Sequence, residues 1–239
     1  MMPLSDDPIV NTWVRAVDAL RTYHRYEVLG LDNLDSDTSL LVVGYHGRPV
    51  AVDMVMLGLT MFERFGKPPR PILHQNIPSL LRDRLGWLTG DGPALAEAVE
   101  QGQHILTSPG GAREAARGYA TRYRVDWGSH TGYLRLALRH GLPIVPVGAS
   151  GVDDLYVALT DGYALGKKLG MPRGMPLWPG LGPLGFFPFS PPFPVQVRQV
   201  VGRAIDLTGL RDDEQDLGEA HRSIMAEVQS LVDRARAIA

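Results

Sequence analysis

The chain contains no cysteine. That absence excludes disulfides, thiolate nucleophiles, and zinc or iron–sulfur sites built on sulfur. It also has no apolar run approaching the roughly 18–20 residues that cross a bilayer, which rules out a transmembrane helix in this sequence. Neither sign of charge is in excess: 24 Lys and Arg face 26 Asp and Glu, giving a net charge of -2. Nothing in that balance points to nucleic acid. The sequence has no Gly-x-x-x-x-Gly-Lys-Ser/Thr phosphate loop, no Gly-x-Gly-x-x-Gly dinucleotide loop and no His-Glu-x-x-His metal pattern. Gly148-Ala149-Ser150-Gly151 is not the Gly-x-Ser-x-Gly nucleophile elbow. The first residues carry neither a basic segment nor an apolar one of signal-peptide type. The expectation is therefore a cytoplasmic protein without a transmembrane helix or signal peptide. Peripheral attachment to a membrane remains open.

What is present is an alternation of short apolar runs and helical patterns across 239 residues. Asp7-Pro8 opens a helix as N-cap and first-turn proline. Ile9, Trp13, Val17 and Leu20 then recur at helical spacing, making residues 1–25 an amphipathic N-terminal segment. Strands are expected at Tyr26–Leu29, Leu40–Val43, Ile72–Leu73, Ile105–Thr107, Ile144–Val147 and Val195–Val201. Helices are expected at Val52–Phe65, Leu80–Leu85, Pro93–Gln101, Tyr133–His140 and about Glu214–Ala237. This alternation predicts an α/β fold, a single domain with a largely parallel or mixed central sheet flanked by helices. Residues 170–194 stand apart as an apolar insertion with eight of the 19 prolines and no charge from Gly174 onward. Such a composition is expected to lack regular structure, yet it is too apolar for an ordinary solvated loop.

Two strand ends carry the chemistry-bearing residues. The first runs Tyr45-His46-Gly47-Arg48-Pro49-Val50-Ala51-Val52-Asp53, and the second Ser108-Pro109-Gly110-Gly111-Ala112-Arg113-Glu114. Open α/β sheets place their sites at such positions. His46 accepts a proton near neutral pH, and Asp53, seven residues on, is a carboxylate that can orient it. The bland alternative is a histidine that caps a strand end. Gly110 and Gly111 permit close backbone approach to an oxyanion or phosphate. Arg113 is a candidate anion partner and Glu114 a candidate support for it. The bland alternative there is a tight turn bearing a surface ion pair. Arg82 and Arg84, after Asn76-Ile77-Pro78, form a second candidate anion site or a merely solvated face.

Taken together, these blocks resemble the glycerolipid acyltransferase superfamily. In order they are His46 to Asp53, Ile77 to Gly86, Pro109 to Glu114, and Gly141-Leu142-Pro143-Ile144-Val145-Pro146-Val147. The Tyr-His-Gly and Pro-Gly-Gly-x-Arg-Glu-Ala variants are closest to the mono- and diacylglycerol acyltransferase-like branch. The superfamily's usual spacing is His, four residues, Asp; six intervene here. The resemblance implies transfer of a fatty acyl group from a thioester, acyl-CoA or an acyl carrier protein, to a lipid hydroxyl at a membrane surface. His46 would be the general base, Asp53 its partner and the Gly110-Gly111 turn the oxyanion donor. Arg113, with Arg82 and Arg84, would bind phosphate. No cofactor and no metal are implied. Competing expectations are a thioester or ester hydrolase using the same pair, and a non-catalytic lipid-binding protein. The amphipathic segment from Ile9, the methionine-rich helix after Asp53 and the uncharged insertion are candidate contacts for lipid.

Overall fold

The computed structural model describes residues 6–35, 38–48, 51–73, 79–158, 160–170 and 178–238. Pro49-Val50, Asn76-Ile77-Pro78 and the first part of the uncharged insertion lie outside the described residues.

Helix α1 (Pro8–Tyr23) begins as its sequence dictates: the Asp7 side chain accepts the Ile9 amide at 2.8 Å, and Pro8 fills a position that needs no N–H. Strand β1 (Glu27–Leu29), a 3-10 turn and strand β2 (Leu41–Gly44) follow. Helix α2 (Val52–Phe65) starts after Ala51, held in the left-handed region at φ 51°, and stops at Gly66, φ 70°. Next come β3 (Arg70–Pro71), α3 (Ser79–Leu85), α4 (Pro93–Glu100), β4 (Ile105–Thr107), α5 (Gly111–Ala115), α6 (Gly132–His140) and β5 (Ile144–Ser150). The chain continues through β6 (Val157–Ala158), α7 (Tyr163–Lys168), β7 (Gly180–Gly182), β8 (Gly185–Phe186), β9 (Arg198–Val201) and α8 (Glu214–Ala237).

Six strands form one sheet in the order β1-β9-β5-β2-β4-β3. Four of its five pairings are parallel; only β5 and β9 run antiparallel. The central strands β2 and β5 are buried along their whole length, which is why they read as unbroken apolar runs rather than alternations. Helix α8 covers β5 and β9 so closely that a Cβ on Gly148 would collide with the backbone of Leu231 and Val232. Ser150 on the same strand donates to the Ala235 carbonyl at 3.1 Å, so it is tied to α8 and not presented as a nucleophile.

Two expectations need correcting. The insertion is not devoid of regular structure: β7 and β8 form a hairpin that pairs with β6 in a three-stranded antiparallel sheet. Strands of two or three residues need only a few ladder bonds, so the flanking Pro and Gly do not prevent them. The apolar stripe of α1 is also not free for a membrane interface. Val10, Trp13, Val14 and Val17 line a cavity against the core, and Trp13 stacks edge-on against Trp87 at 5.3 Å. No helix among the described residues is long and apolar enough to cross a membrane.

Candidate active site

Because β2 and β4 are parallel neighbours in register, with Val43 opposite Thr107, their C-terminal ends open on the same side of the sheet. That places His46, two residues past β2, beside the Ser108–Glu114 turn past β4, at the edge where doubly wound sheets put their ligands. Glu114 makes the connection. Its carboxylate accepts the His46 backbone amide at 2.9 Å, the Trp127 indole N–H at 3.2 Å and the Asp126 amide at 3.1 Å. The Arg117 guanidinium donates to the His46 carbonyl at 3.1 Å. The His46 backbone is thus held on both sides, by a buried acid and a buried base.

The imidazole Nδ1 lies 3.0 Å from the Gly47 carbonyl. A carbonyl only accepts, so Nδ1 carries the proton and Nε2 keeps its lone pair. Burial pushes the His46 pKa down to about 4, with the Arg117 charge acting in the same direction, so the ring is neutral at pH 7. This is the protonation state a general base requires. Asp53 does not engage the ring: its Oδ1 accepts the Gly47 amide at 3.2 Å, and no hydrogen bond or ion pair joins it to His46. The turn through Ala51 folds the carboxylate back under Gly47 so tightly that a Cβ at Gly47 would sit 2.5 Å from Asp53 Oδ1. Desolvation raises the Asp53 pKa to about 7 and that of Glu114 to about 7 as well.

Behind His46 lies a buried ionic cluster. Arg117 pairs with Asp153 at 2.7 Å and with Glu114 at 3.5 Å, and its guanidinium stacks 4.1 Å over the Tyr45 ring. Asp153 also accepts the Tyr45 hydroxyl at 2.5 Å and the Tyr123 amide at 2.6 Å. Arg48, fully buried, lies 3.6 Å from Asp153 and donates to the carbonyls of Asp153, Tyr156, Arg117 and Gly118. Arg48, Arg117 and Asp153 were not among the residues predicted to serve the site. The Glu114–Arg117 spacing was a legible signal, whereas Tyr45 and Asp153 are 108 residues apart and leave no local trace.

His46 lines an apolar cavity of about 1980 Å³ that runs between α1, α2, α3 and α6. Its volume exceeds the roughly 300–1,000 Å³ of most small-molecule sites. Met54, Val55, Leu59 and Phe62 of α2 face it, while Met56, Leu57 and Met61 pack in the core. Gly111 lies on the wall, but its amide already donates to the Ser108 carbonyl at 3.0 Å. Gly110 packs against Glu114, leaving no room for a Cβ. Arg113 is exposed, paired with Asp126 at 3.0 Å, and is not part of the wall. Arg82 pairs with Asp83 at 3.0 Å and is likewise not on the wall. Arg84 does reach the cavity, where Asp7 neutralises it at 2.7 Å. The structure therefore gathers His46, Asp53, Gly110, Gly111 and Glu114, places Arg84 further along the cavity wall, and leaves Arg82 and Arg113 outside it.

A buried histidine just past a strand end, at the wall of a large apolar cavity that Ser108 also lines, defines the candidate site of this α/β protein. No protein-family model matches the chain. In fold it is similar to the crystal structure of a 1-acyl-sn-glycerophosphate acyltransferase from Thermotoga maritima, with a TM-score of 0.56 and 18% identity over 98% of this chain and 85% of that one. In sequence it is 28% identical over 220 residues to a human DGAT1/2-independent enzyme synthesizing storage lipids, covering 89% of this chain and 62% of that protein. It is 26% identical over 187 residues to an uncharacterized protein of Mycobacterium tuberculosis, covering 70% and 49%. A chloroplastic phytyl ester synthase of Arabidopsis thaliana is 30% identical over 152 residues, 56% of this chain and 20% of that protein. The chain thus spans about half to three-fifths of the human and mycobacterial relatives. Fold and relatives fit the glycerolipid acyltransferase superfamily that the motif blocks resemble.

Proposed function

We propose that this protein transfers a fatty acyl group from an acyl thioester to the hydroxyl of a lipid alcohol, with His46 as general base. The observation that carries the reading is the neutral imidazole with Nε2 unprotonated, lining a cavity of about 1980 Å³. In the reaction, Nε2 takes the acceptor hydroxyl proton as its oxygen attacks the thioester carbon. The tetrahedral intermediate then collapses with departure of the thiolate, which takes up the proton. No covalent enzyme intermediate forms, in keeping with a chain that has no cysteine. The general-base contribution is about 10²–10⁴-fold. Asp53 and Glu114 act through the backbone on either side of the imidazole and are positioning residues. Ala112 lies on the cavity wall and its amide has no backbone acceptor among the described residues, so it is the donor assigned to the oxyanion in place of Gly110 and Gly111. Arg84 faces whichever substrate bears phosphate.

The test is thiol release from palmitoyl-CoA and from palmitoyl-acyl carrier protein. Each is run with and without monoacylglycerol, diacylglycerol, lysophosphatidic acid or a long-chain alcohol, for the wild type and His46→Ala. Acceptor-dependent release lost in His46→Ala is the expected result. Release that needs no acceptor assigns a hydrolase instead. Absence of release, or release indifferent to His46→Ala, removes the catalytic assignment.

A further inference from the structure

The hairpin of β7 and β8 exposes its largest apolar side chains. Phe189 is 91% exposed, Leu184 80% and Phe186 62%. Residues 178–194 contain no charged side chain. Soluble surfaces carry isolated apolar residues without consequence, but a contiguous protruding set marks an interaction site. Three further observations say what covers this one.

Many of the hairpin's backbone N–H groups are paired within it or are absent. Pro183, Pro188, Pro191 and Pro192 have no N–H. Leu184 donates to the Ser190 hydroxyl at 3.0 Å, Phe187 to the Gly180 carbonyl at 2.8 Å and Phe189 to the Phe186 carbonyl at 2.9 Å. The ladder pairs Leu181 with Phe186 and Gly182 with Gly185. A protein partner is recognised through hydrogen bonds and a polar rim, and this tip offers few donors for one. Hydrocarbon, by contrast, tolerates only backbone whose polar groups are already paired. The opposite side of the same hairpin reaches the candidate active site. Trp178 and Phe187 line the cavity to which His46 belongs, so the exposed tip and the cavity wall are two sides of one element. Finally, Lys167 and Lys168 end the crossover helix between β6 and β7, and neither has an ion-pair partner among the described residues. Lysines in the segment that leads into the hairpin are side chains of the kind that complements anionic headgroups.

We propose that the β7–β8 hairpin docks the protein on a phospholipid bilayer, inserting Leu184, Phe186 and Phe189 so that the lipid acceptor passes between bilayer and cavity without crossing water. The proposal deepens the acyl-transfer reading and rests on it for the nature of the substrate, but the docking itself is measured without turnover.

The full chain is sedimented with vesicles of phosphatidylcholine and phosphatidylglycerol, as wild type and as the double variant Leu184→Ser, Phe189→Ser. Each large apolar side chain withdrawn from lipid is worth about tenfold or more in partition, so the double variant is expected to lose at least about tenfold of vesicle binding. Its melting temperature should not change, because both side chains are exposed. In a Phe189→Trp variant, tryptophan emission is expected to shift to the blue on adding vesicles. Equal binding by wild type and double variant overturns the proposal, as does no binding by wild type. A wild type that is dimeric without vesicles, and monomeric once both residues are serine, assigns the patch to a second copy of the chain instead. Turnover then separates the two readings. If both hold, the double variant acylates a water-soluble short-chain alcohol at the wild-type rate and is slowed only on vesicle-borne acceptor. If only the acyl-transfer reading fails, no acceptor is turned over while the hairpin-dependent vesicle binding remains.

Discussion

Replacing Asp53 by asparagine separates two roles for this carboxylate. It contacts the Gly47 amide at 3.2 Å and has no hydrogen bond to the imidazole. If its work is to hold that amide, an asparagine carbonyl accepts the same N–H and kcat falls by less than about tenfold. If its work is to stabilise the imidazolium, the same change costs about 10⁴-fold, as amidation of the acid does in a Ser-His-Asp triad. Stability gives an independent reading. Burial raises Asp53 from 3.8 to about 7. The folded chain then binds this proton more tightly than the unfolded chain, so stability is lost as pH rises from about 4 to about 7 and levels off above. The full interval corresponds to at most about 4 kcal/mol. Oδ2 has no hydrogen-bond partner. The amide nitrogen that replaces it would be a buried donor without an acceptor, returning about 1–3 kcal/mol of that gain. Asp53→Asn is therefore expected to stabilise the protein by about 1–3 kcal/mol at pH 8, a rise of about 3–10 °C in melting temperature, with no gain near pH 4. Calorimetry at both pH values, with acyl-transfer kcat at pH 8, measures it. A folded variant that loses more than about 10³-fold in kcat refutes the assignment to Gly47. A melting temperature that falls at pH 8 refutes the burial argument.

The same geometry fixes three more outcomes. The His46 pKa is depressed to about 4, so kcat/KM should show no inflection near 6.5 from this group and should fall only as pH drops towards 4 and the base is protonated. An acid limb near 6.5 that persists in Asp53→Asn and in Glu114→Gln, which remove the two neighbouring acids raised to about 7, would contradict the burial of the ring. Arg117→Met removes the 2.7 Å pair to Asp153 and the bond to the His46 carbonyl, leaving Arg48 as the cation beside a buried acid. The expected cost is about 3 kcal/mol in urea unfolding, together with lower kcat; a loss below about 1 kcal/mol would show that the cluster is not holding His46 in place. Gly58→Phe puts a ring on the cavity wall one turn from Phe62, where a Cβ meets only Pro69 at 3.7 Å. It should shift preference from long to short acyl chains with the melting temperature little changed, and an unaltered chain-length profile would place the acyl group elsewhere.

The core of the fold was legible because its signals are local. Val52–Phe65 and Glu214–Ala237 are bounded in the structure where the sequence places them, since Gly66 and Asp213 are terminators and caps in their own right. The runs at β2, β4 and β5 are apolar throughout because both faces of the sheet are covered, and that pattern survives in a single sequence. The hairpin of β7 and β8 was not legible: five residues of strand rich in glycine carry no periodicity, and only pairing with β6 makes them a sheet. The site divides along the same line. His46, Gly111 and Glu114 stood out because strand ends and Gly-rich turns are local features. Which group each one touches was not readable, because those partners are set by the register of β2 against β4 and by contacts across more than a hundred residues. Hence the carboxylate seven residues from His46, the obvious partner by proximity, is spent on the Gly47 amide. The acid that does hold His46 is Glu114, on another strand's loop. Neither acid meets the ring, so no carboxylate hydrogen bond raises its basicity, and burial beside Arg117 lowers it. The imidazole is kept neutral by its surroundings and placed by its own backbone.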